Sequence, residues 1–272
     1  RPFLFIAFFI SGANGLIFEI IFRRLLHLSL GVTHYSVGIV LTVFMAGLGI
    51  GSLIFGKIAD RTPKLLLIYG LLEAGIGVLG IILIGLSGYL DFIYVFFLRM
   101  AGSPESTNII TKTMMAGILL LPMTILMGGT LPVLGKTLSS PEGKSGAPLG
   151  LLYGLNTLGG VAGTLGVTFA LLGAFGTSMT MLLFSLISIG IGAVSLFFYR
   201  TTIREIQAGI INKPADKEYG KKNIPGADRV ILPLIAFFVS GFVGLSVEVY
   251  WTRILAYVIG SHGYAFGIIL AA

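Results

Sequence analysis

The chain has 272 residues, of which 56% are hydrophobic and 11% charged, and a mean hydropathy of +0.99; a soluble domain carries roughly 25% charge, so the composition is that of a polytopic membrane protein. A net charge of +7 would suggest nucleic acid in a soluble protein, but here the positives fall between apolar runs and read as topology determinants and headgroup contacts, so nucleic acid is not an expected partner. The absence of cysteine excludes a disulfide framework, a thiolate metal site, an iron–sulfur cluster and a thiol nucleophile within this chain.

A helix needs about 20 apolar residues to cross the hydrocarbon, and such runs lie at 3 to 22, 36 to 57, 65 to 88, 114 to 135, 148 to 172, 177 to 199 and 230 to 250, with the start of another from 256. The expected fold is all-α, a bundle of transmembrane helices. The first run is too long for a signal-peptide core and lacks a small-residue cleavage pattern, so it counts as a span. Between the third and fourth, YLDFIYVFFLRM (89 to 100) is aromatic and too short to cross, which predicts an interfacial helix leading into a polar loop, AGSPESTNIITKT, so that 89 to 113 forms one interfacial segment. Pro122 and GGTLP at 128 to 132 predict interruptions of the fourth span.

Basic residues predict orientation. Lys57, Arg61 and Lys64 follow the second span, Lys136 and Lys144 the fourth, and seven Lys or Arg lie in 200 to 229, whereas 173 to 177 has none. By the positive-inside rule the N-terminus and the 200 to 229 linker are cytoplasmic, in a plasma (inner) membrane protein. Arg23 and Arg24 then stand at the outer end of the first span, against the rule, which points to pairing, snorkelling or function.

Sliding the chain by 229 residues lays SGANGLIFEIIFRR over SGFVGLSVEVYWTR, matching Ser11 with Ser240, Gly15 with Gly244, Glu19 with Glu248 and Arg24 with Arg253. This duplication divides the chain into a six-span half at 1 to 199, a linker at 200 to 229 and the start of a second repeat at 230 to 272. With six spans between the copies both run the same way through the membrane, the parallel arrangement of major facilitator halves. Ala272 falls inside an apolar run, so the polypeptide is expected to continue beyond it.

Three carboxylates lie in apolar spans, Glu19, Glu73 and Glu248, and each must pair, accept hydrogen bonds, face water or stay protonated. Glu19 has Arg23 one turn on, in the favourable order for an ion pair. Both copies share instead a five-residue gap, Glu19 to Arg24 and Glu248 to Arg253, which places the two side chains about 140° apart around the helix. The arginines are therefore expected to reach the headgroups while the acids point into the bundle, either for structural hydrogen bonding or toward a functional cavity. Asn156 in LYGLNTLGGVAGTLG is either an interhelical hydrogen-bonding residue or a cavity-lining one. Asp60 and Arg61 read as a charge network at a helix end that could serve ion pairing or gating. The glycines of AGLGIGSLIFG sit in a span with no strand before them and belong to helix packing, not to a nucleotide fingerprint. His27, His34 and His262 lack metal-ligand spacing, so no metal or other cofactor is expected.

The pattern SGxxGLxxEIxxxR, the run GVTHYSVGIVLTVFMAGLGIGSLIFGKIADR, the acid in LLEAGIG, the ILMGGTLPVL segment and LYGLNTLGGVAGTLGV together resemble the membrane region of fused spermidine synthase-like proteins. That region is itself similar to the major facilitator superfamily, and GKIADRTPK is similar to the facilitator signature between spans two and three, with Pro63 where that signature prefers glycine. The resemblance implies a soluble domain of aminopropyltransferase fold elsewhere. No catalytic residue is expected here, because a 30-residue linker cannot supply a nucleoside-binding sheet. Three roles stay open. One is a membrane module that serves such a domain or partner, with Glu19, Glu73, Asn156 and Glu248 as candidates for binding a cationic or amphipathic substrate. The others are a facilitator-like secondary transporter and a noncatalytic scaffold among other membrane subunits. The lipid bilayer is a partner in all three.

Overall fold

The computed structural model describes residues 2–30, 34–101, 105–138, 147–207, 227–259 and 262–272. Helix α1 spans Pro2–Leu30, α2 His34–Arg61, α3 Leu65–Ser87, α4 Leu90–Ala101, α5 Glu105–Leu138 and α6 Ala147–Gly166. A π-helical turn, Val167–Leu171, leads into α7 at Leu172–Gln207, followed by α8 at Ala227–Ile259 and α9 at His262–Ala271. No strand occurs among the described residues. Hydrocarbon offers backbone groups no water, and a helix satisfies them within its own segment. Among the described residues, five helical stretches are long and apolar enough to cross a membrane: Phe3–Leu26, Gly38–Arg61, Leu65–Ser87, Ile109–Thr137 and the 52-residue Gly150–Thr201. The chain is a multi-pass membrane protein.

Small residues decide which helices pair. In a membrane, apolar side chains gain little by leaving lipid, so close backbone approach supplies the attraction. At the α2/α5 crossing a Cβ on Gly51 would fall 1.9 Å from the Ile125 carbonyl oxygen, and one on Gly128 2.1 Å from that of Leu48. The α1/α6 crossing is equally tight, with a Cβ on Gly159 falling 1.9 Å from the Phe9 carbonyl oxygen. At α3/α7 a Cβ on Gly77 would meet the Ser185 carbonyl oxygen at 2.3 Å.

Several local expectations are corrected. Pro122 and Pro132 lie inside an unbroken α5, so neither interrupts it. Proline removes one donor, but the rest of the ladder persists, and the Thr124 hydroxyl donates to the Leu120 and Leu121 carbonyls at 3.0 and 3.2 Å. The polar stretch after α4 is helical from Glu105 onward, because nothing there outweighs the propagation of the long helix behind it. The short aromatic segment does form its own helix, α4, with Phe92 and Phe96 exposed and Leu90 buried. The linker is shorter than 200 to 229, since α7 reaches Gln207 and α8 begins at Ala227; residues 208–226 lie outside the described residues.

The break that does occur stands at Gly176, φ +72° and ψ −179°, a conformation essentially reserved for glycine. It divides the 52-residue apolar stretch. Thr180 donates its hydroxyl to the Gly176 carbonyl at 2.6 Å and to that of Leu171 at 3.3 Å, covering acceptors the turn releases.

α1 ends at Leu30 and α8 at Ile259, 229 residues apart, so the expected division of the second copy near 250 to 256 shifts to the end of a single 33-residue helix. α9 rests on the π turn: Tyr264 stacks on Phe169 with centroids 5.6 Å apart, and a Cβ on Gly267 would lie 2.2 Å from the Thr168 hydroxyl oxygen.

Two apolar clusters hold the bundle. One gathers Phe18, Phe22, Phe44, Met115 and Leu120; the other gathers Phe8, Tyr69, Leu72, Val133 and Leu152. Along α1, α2 and α5 a cavity wall falls between the two clusters.

Candidate functional site

That cavity measures about 530 Å³, within the range of small-ligand sites. α1 contributes Ser11, Asn14 and Glu19, α3 Glu73, α6 Asn156 and α7 Ser188. Among the described residues, two acids and no Lys, Arg or His line it. The α2 and α5 walls are mostly apolar, with Phe44, Leu48 and Met127. From the second repeat, Leu270 of α9 reaches the same space.

Glu19 and Glu73 are each 1% exposed. Neither oxygen of Glu19 has a hydrogen-bond partner, nor has Oε1 of Glu73. The two acids occupy different levels. Glu73 lies beside the Ser11 hydroxyl, eight residues before Glu19 on α1, or about 12 Å along the helix axis.

The environments differ as well. Around Glu73 the hydroxyls of Ser11, Tyr69 and Ser188 gather, and the Asn14 amide nitrogen donates to Ser188 Oγ at 2.8 Å. This junction of α1, α3 and α7 exists because Gly77 and Gly192 let α3 and α7 approach closely enough to bring Ser188 to the acid. Glu19 has instead two charged neighbours, Glu248 and Arg23. Glu248 is half-buried on α8, outside the cavity lining, so the repeat-related acids meet across the copies rather than across one cavity.

The remaining candidates are placed as follows. Asn156 lines the cavity, and its backbone carbonyl stands 2.2 Å from where a Cβ on Gly12 would be. Arg24 and Arg253 are exposed, and Arg23 is half-buried between the fields of Glu19 and Glu248. Asp60 and Arg61 are exposed at the end of α2, and the Asp60 carboxylate accepts from Lys136 of α5, a partner 76 residues away rather than the adjacent arginine. The side chains of His27, His34 and His262 lie outside the described residues.

Sequence reasoning missed Ser11, Asn14, Tyr69 and Ser188 as site residues. Ser11 carried one signal, its match to Ser240; Asn14 faces Val243 in the second copy and carried none. Chemically, an acidic cavity with unpartnered carboxylate oxygens offers charge and hydrogen-bond acceptors to a cation; among the described residues, no three His, Asp or Glu side chains converge as metal ligands. Comparison of the chain with protein-family models, curated proteins and solved structures finds no match.

Proposed function

We propose that this chain is the membrane module of a spermidine synthase-like protein, serving an aminopropyltransferase-type domain or partner and holding a cationic amine in its cavity, with Glu19 as the carboxylate that the ammonium meets. The observation that carries this reading is the lining: two buried acids on different helices face one space with no basic side chain among the described residues. An ammonium brought to Glu19 replaces missing hydrogen bonds with charge-assisted ones, and the apolar walls suit a methylene chain. In this reading Gly176 separates two crossings, giving a six-span half in the inner membrane, and the Asp60–Lys136 pair marks the cytoplasmic face.

Isothermal titration of the purified chain with spermidine tests it. Binding is expected, and Glu19→Gln should weaken it about tenfold or more, the equivalent of 1.4 kcal/mol. Undiminished affinity in Glu19→Gln, or no binding to the wild type, would overturn the reading.

A facilitator-like transporter is the second reading, favoured by the helix pairing. Exchanging α1 with α5, α2 with α6 and α3 with α7 interchanges the pairs α1/α6 and α2/α5 and returns α3/α7 to itself, the pattern of two inverted three-helix repeats in a facilitator half. Amine uptake into proteoliposomes driven by an ion gradient would support it; equilibrium binding without uptake would leave the module reading alone.

A further inference from the structure

The end of the cavity around Glu73 is built differently from the end around Glu19, and the difference concerns oxygen atoms. Ser11 and Asn14 come from adjacent turns of α1, Tyr69 and Glu73 from adjacent turns of α3, and Ser188 from α7. Asn14, Tyr69, Glu73 and Ser188 are all at least 98% buried. The Asn14 amide spends its nitrogen on Ser188 Oγ, and this leaves Asn14 Oδ1 without a donor. Tyr69 Oη and Glu73 Oε1 also stand outside hydrogen-bonding geometry, although the Tyr69 hydroxyl lies beside the Glu73 carboxylate. Two buried acceptor oxygens on two helices, Asn14 Oδ1 and Glu73 Oε1, thus carry unsatisfied lone pairs, each costing about 1–3 kcal/mol if nothing meets it.

A proton on Glu73, with the Tyr69 hydroxyl turned to Oε1, is the competing way to satisfy these atoms, and it predicts no dependence on sodium. A dehydrated metal cation draws on every oxygen around it at once, replacing its hydration shell with protein oxygens. The donor set is one carboxylate with neutral hydroxyl and amide oxygens, which suits a hard cation rather than a soft one. Its single formal charge balances a monovalent ion; a divalent ion would leave an uncompensated positive charge in a low-dielectric interior. We infer that the Ser11–Asn14–Tyr69–Glu73–Ser188 cluster is a binding site for a monovalent metal cation such as Na⁺, separate from the Glu19 level of the same cavity. With this ion bound Glu73 is neutralised, and Glu19 remains as the charge an organic cation meets.

The purified chain, without any amine, is compared in NaCl and in choline chloride at equal ionic strength by thermal unfolding, and ²²Na⁺ binding is measured in parallel. Sodium is expected to raise the unfolding temperature saturably, with displaceable ²²Na⁺ bound. Glu73→Gln should abolish both effects, Asn14→Ala and Ser188→Ala should weaken Na⁺ about tenfold, and Glu19→Gln should retain both. Loss of amine binding in Glu19→Gln with an intact Na⁺ response therefore separates this site from the amine site. Equal stability in the two salts with no bound ²²Na⁺, stabilisation that follows pH alone, or Na⁺ binding that survives in both Glu73→Gln and Asn14→Ala would overturn the inference. A wild type without a sodium response overturns the inference whatever the folding of the variants, and the milder Asn14→Ala and Ser188→Ala locate the site if Glu73→Gln does not fold.

Discussion

Replacing Gly159 by alanine adds one methyl group at the α1/α6 crossing, one wall of the cavity. Its Cβ would stand 1.9 Å from the Phe9 carbonyl oxygen, 2.8 Å from the Phe9 carbonyl carbon and 3.2 Å from the Ala13 nitrogen. All three are backbone atoms, so no side chain can swing aside. Relief to an ordinary contact of 3.4 Å requires the two backbones to part by about 1.5 Å, and a carbon pair drawn 0.5–1 Å beyond contact already loses about a quarter to a half of its attraction. Overpacking of this kind costs about 1–3 kcal/mol. Gly154, on the same helix, has nothing within 4 Å of its would-be Cβ, so Gly154→Ala should gain up to about 1 kcal/mol from helix propensity alone. The two substitutions are chemically identical and should move stability in opposite directions in denaturant titrations in mixed micelles, read by circular dichroism. If Gly159→Ala is no less stable than Gly154→Ala, the close crossing does not hold the bundle as described.

Gly176→Ala should destabilise the fold by about 1–3 kcal/mol, because φ +72° with ψ −179° suits no side chain; Gly173→Ala, with open space around it, is the control in the same titration. Glu19→Gln should change stability by less than about 1–3 kcal/mol, since it removes a buried carboxylate with no hydrogen-bond partner but also one of the two acids near Arg23, while spermidine affinity falls; parallel denaturation and calorimetry would show whether the two quantities separate. The Asp60–Lys136 pair is exposed on the Asp60 side, so a double-mutant cycle of Asp60→Asn with Lys136→Met should give a coupling under about 1 kcal/mol that shrinks with added salt; a larger, salt-insensitive value would mean the pair is more shielded than its surroundings indicate.

The helices were legible because each long apolar run exceeds what a soluble helix needs, and α3 at Leu65–Ser87 lies almost where hydropathy alone sets it. Breaks were read less well. Proline is conspicuous, yet Pro122 and Pro132 sit inside a helix whose neighbours keep it whole, while Gly176 is one of 39 glycines, and only the backbone path tells a turn from a packing contact. Glu19 and Glu73 drew notice because charge in an apolar run is costly and therefore rare. Serine is common at helix contacts in membranes, so Ser11 and Ser188 looked ordinary, and Asn14 was passed over although Asn156 had drawn notice. Their importance comes from convergence, and Asn14 and Ser188 are 174 residues apart, a distance over which no local pattern operates. Asp60 shows the same limit, since its partner comes from α5 and not from the adjacent arginine.

Leu270 closes part of the cavity, and it belongs to the helix seated on the π turn through Gly267 and Tyr264. The room offered to a ligand is therefore set jointly by both copies of the duplication. Any occupant that prefers one volume must favour the seating of α9 that provides it, and any shift of α9 must alter the occupant's affinity by the same factor. The second copy thereby acts as a thermodynamic handle on a space whose charges, among the described residues, come from the first.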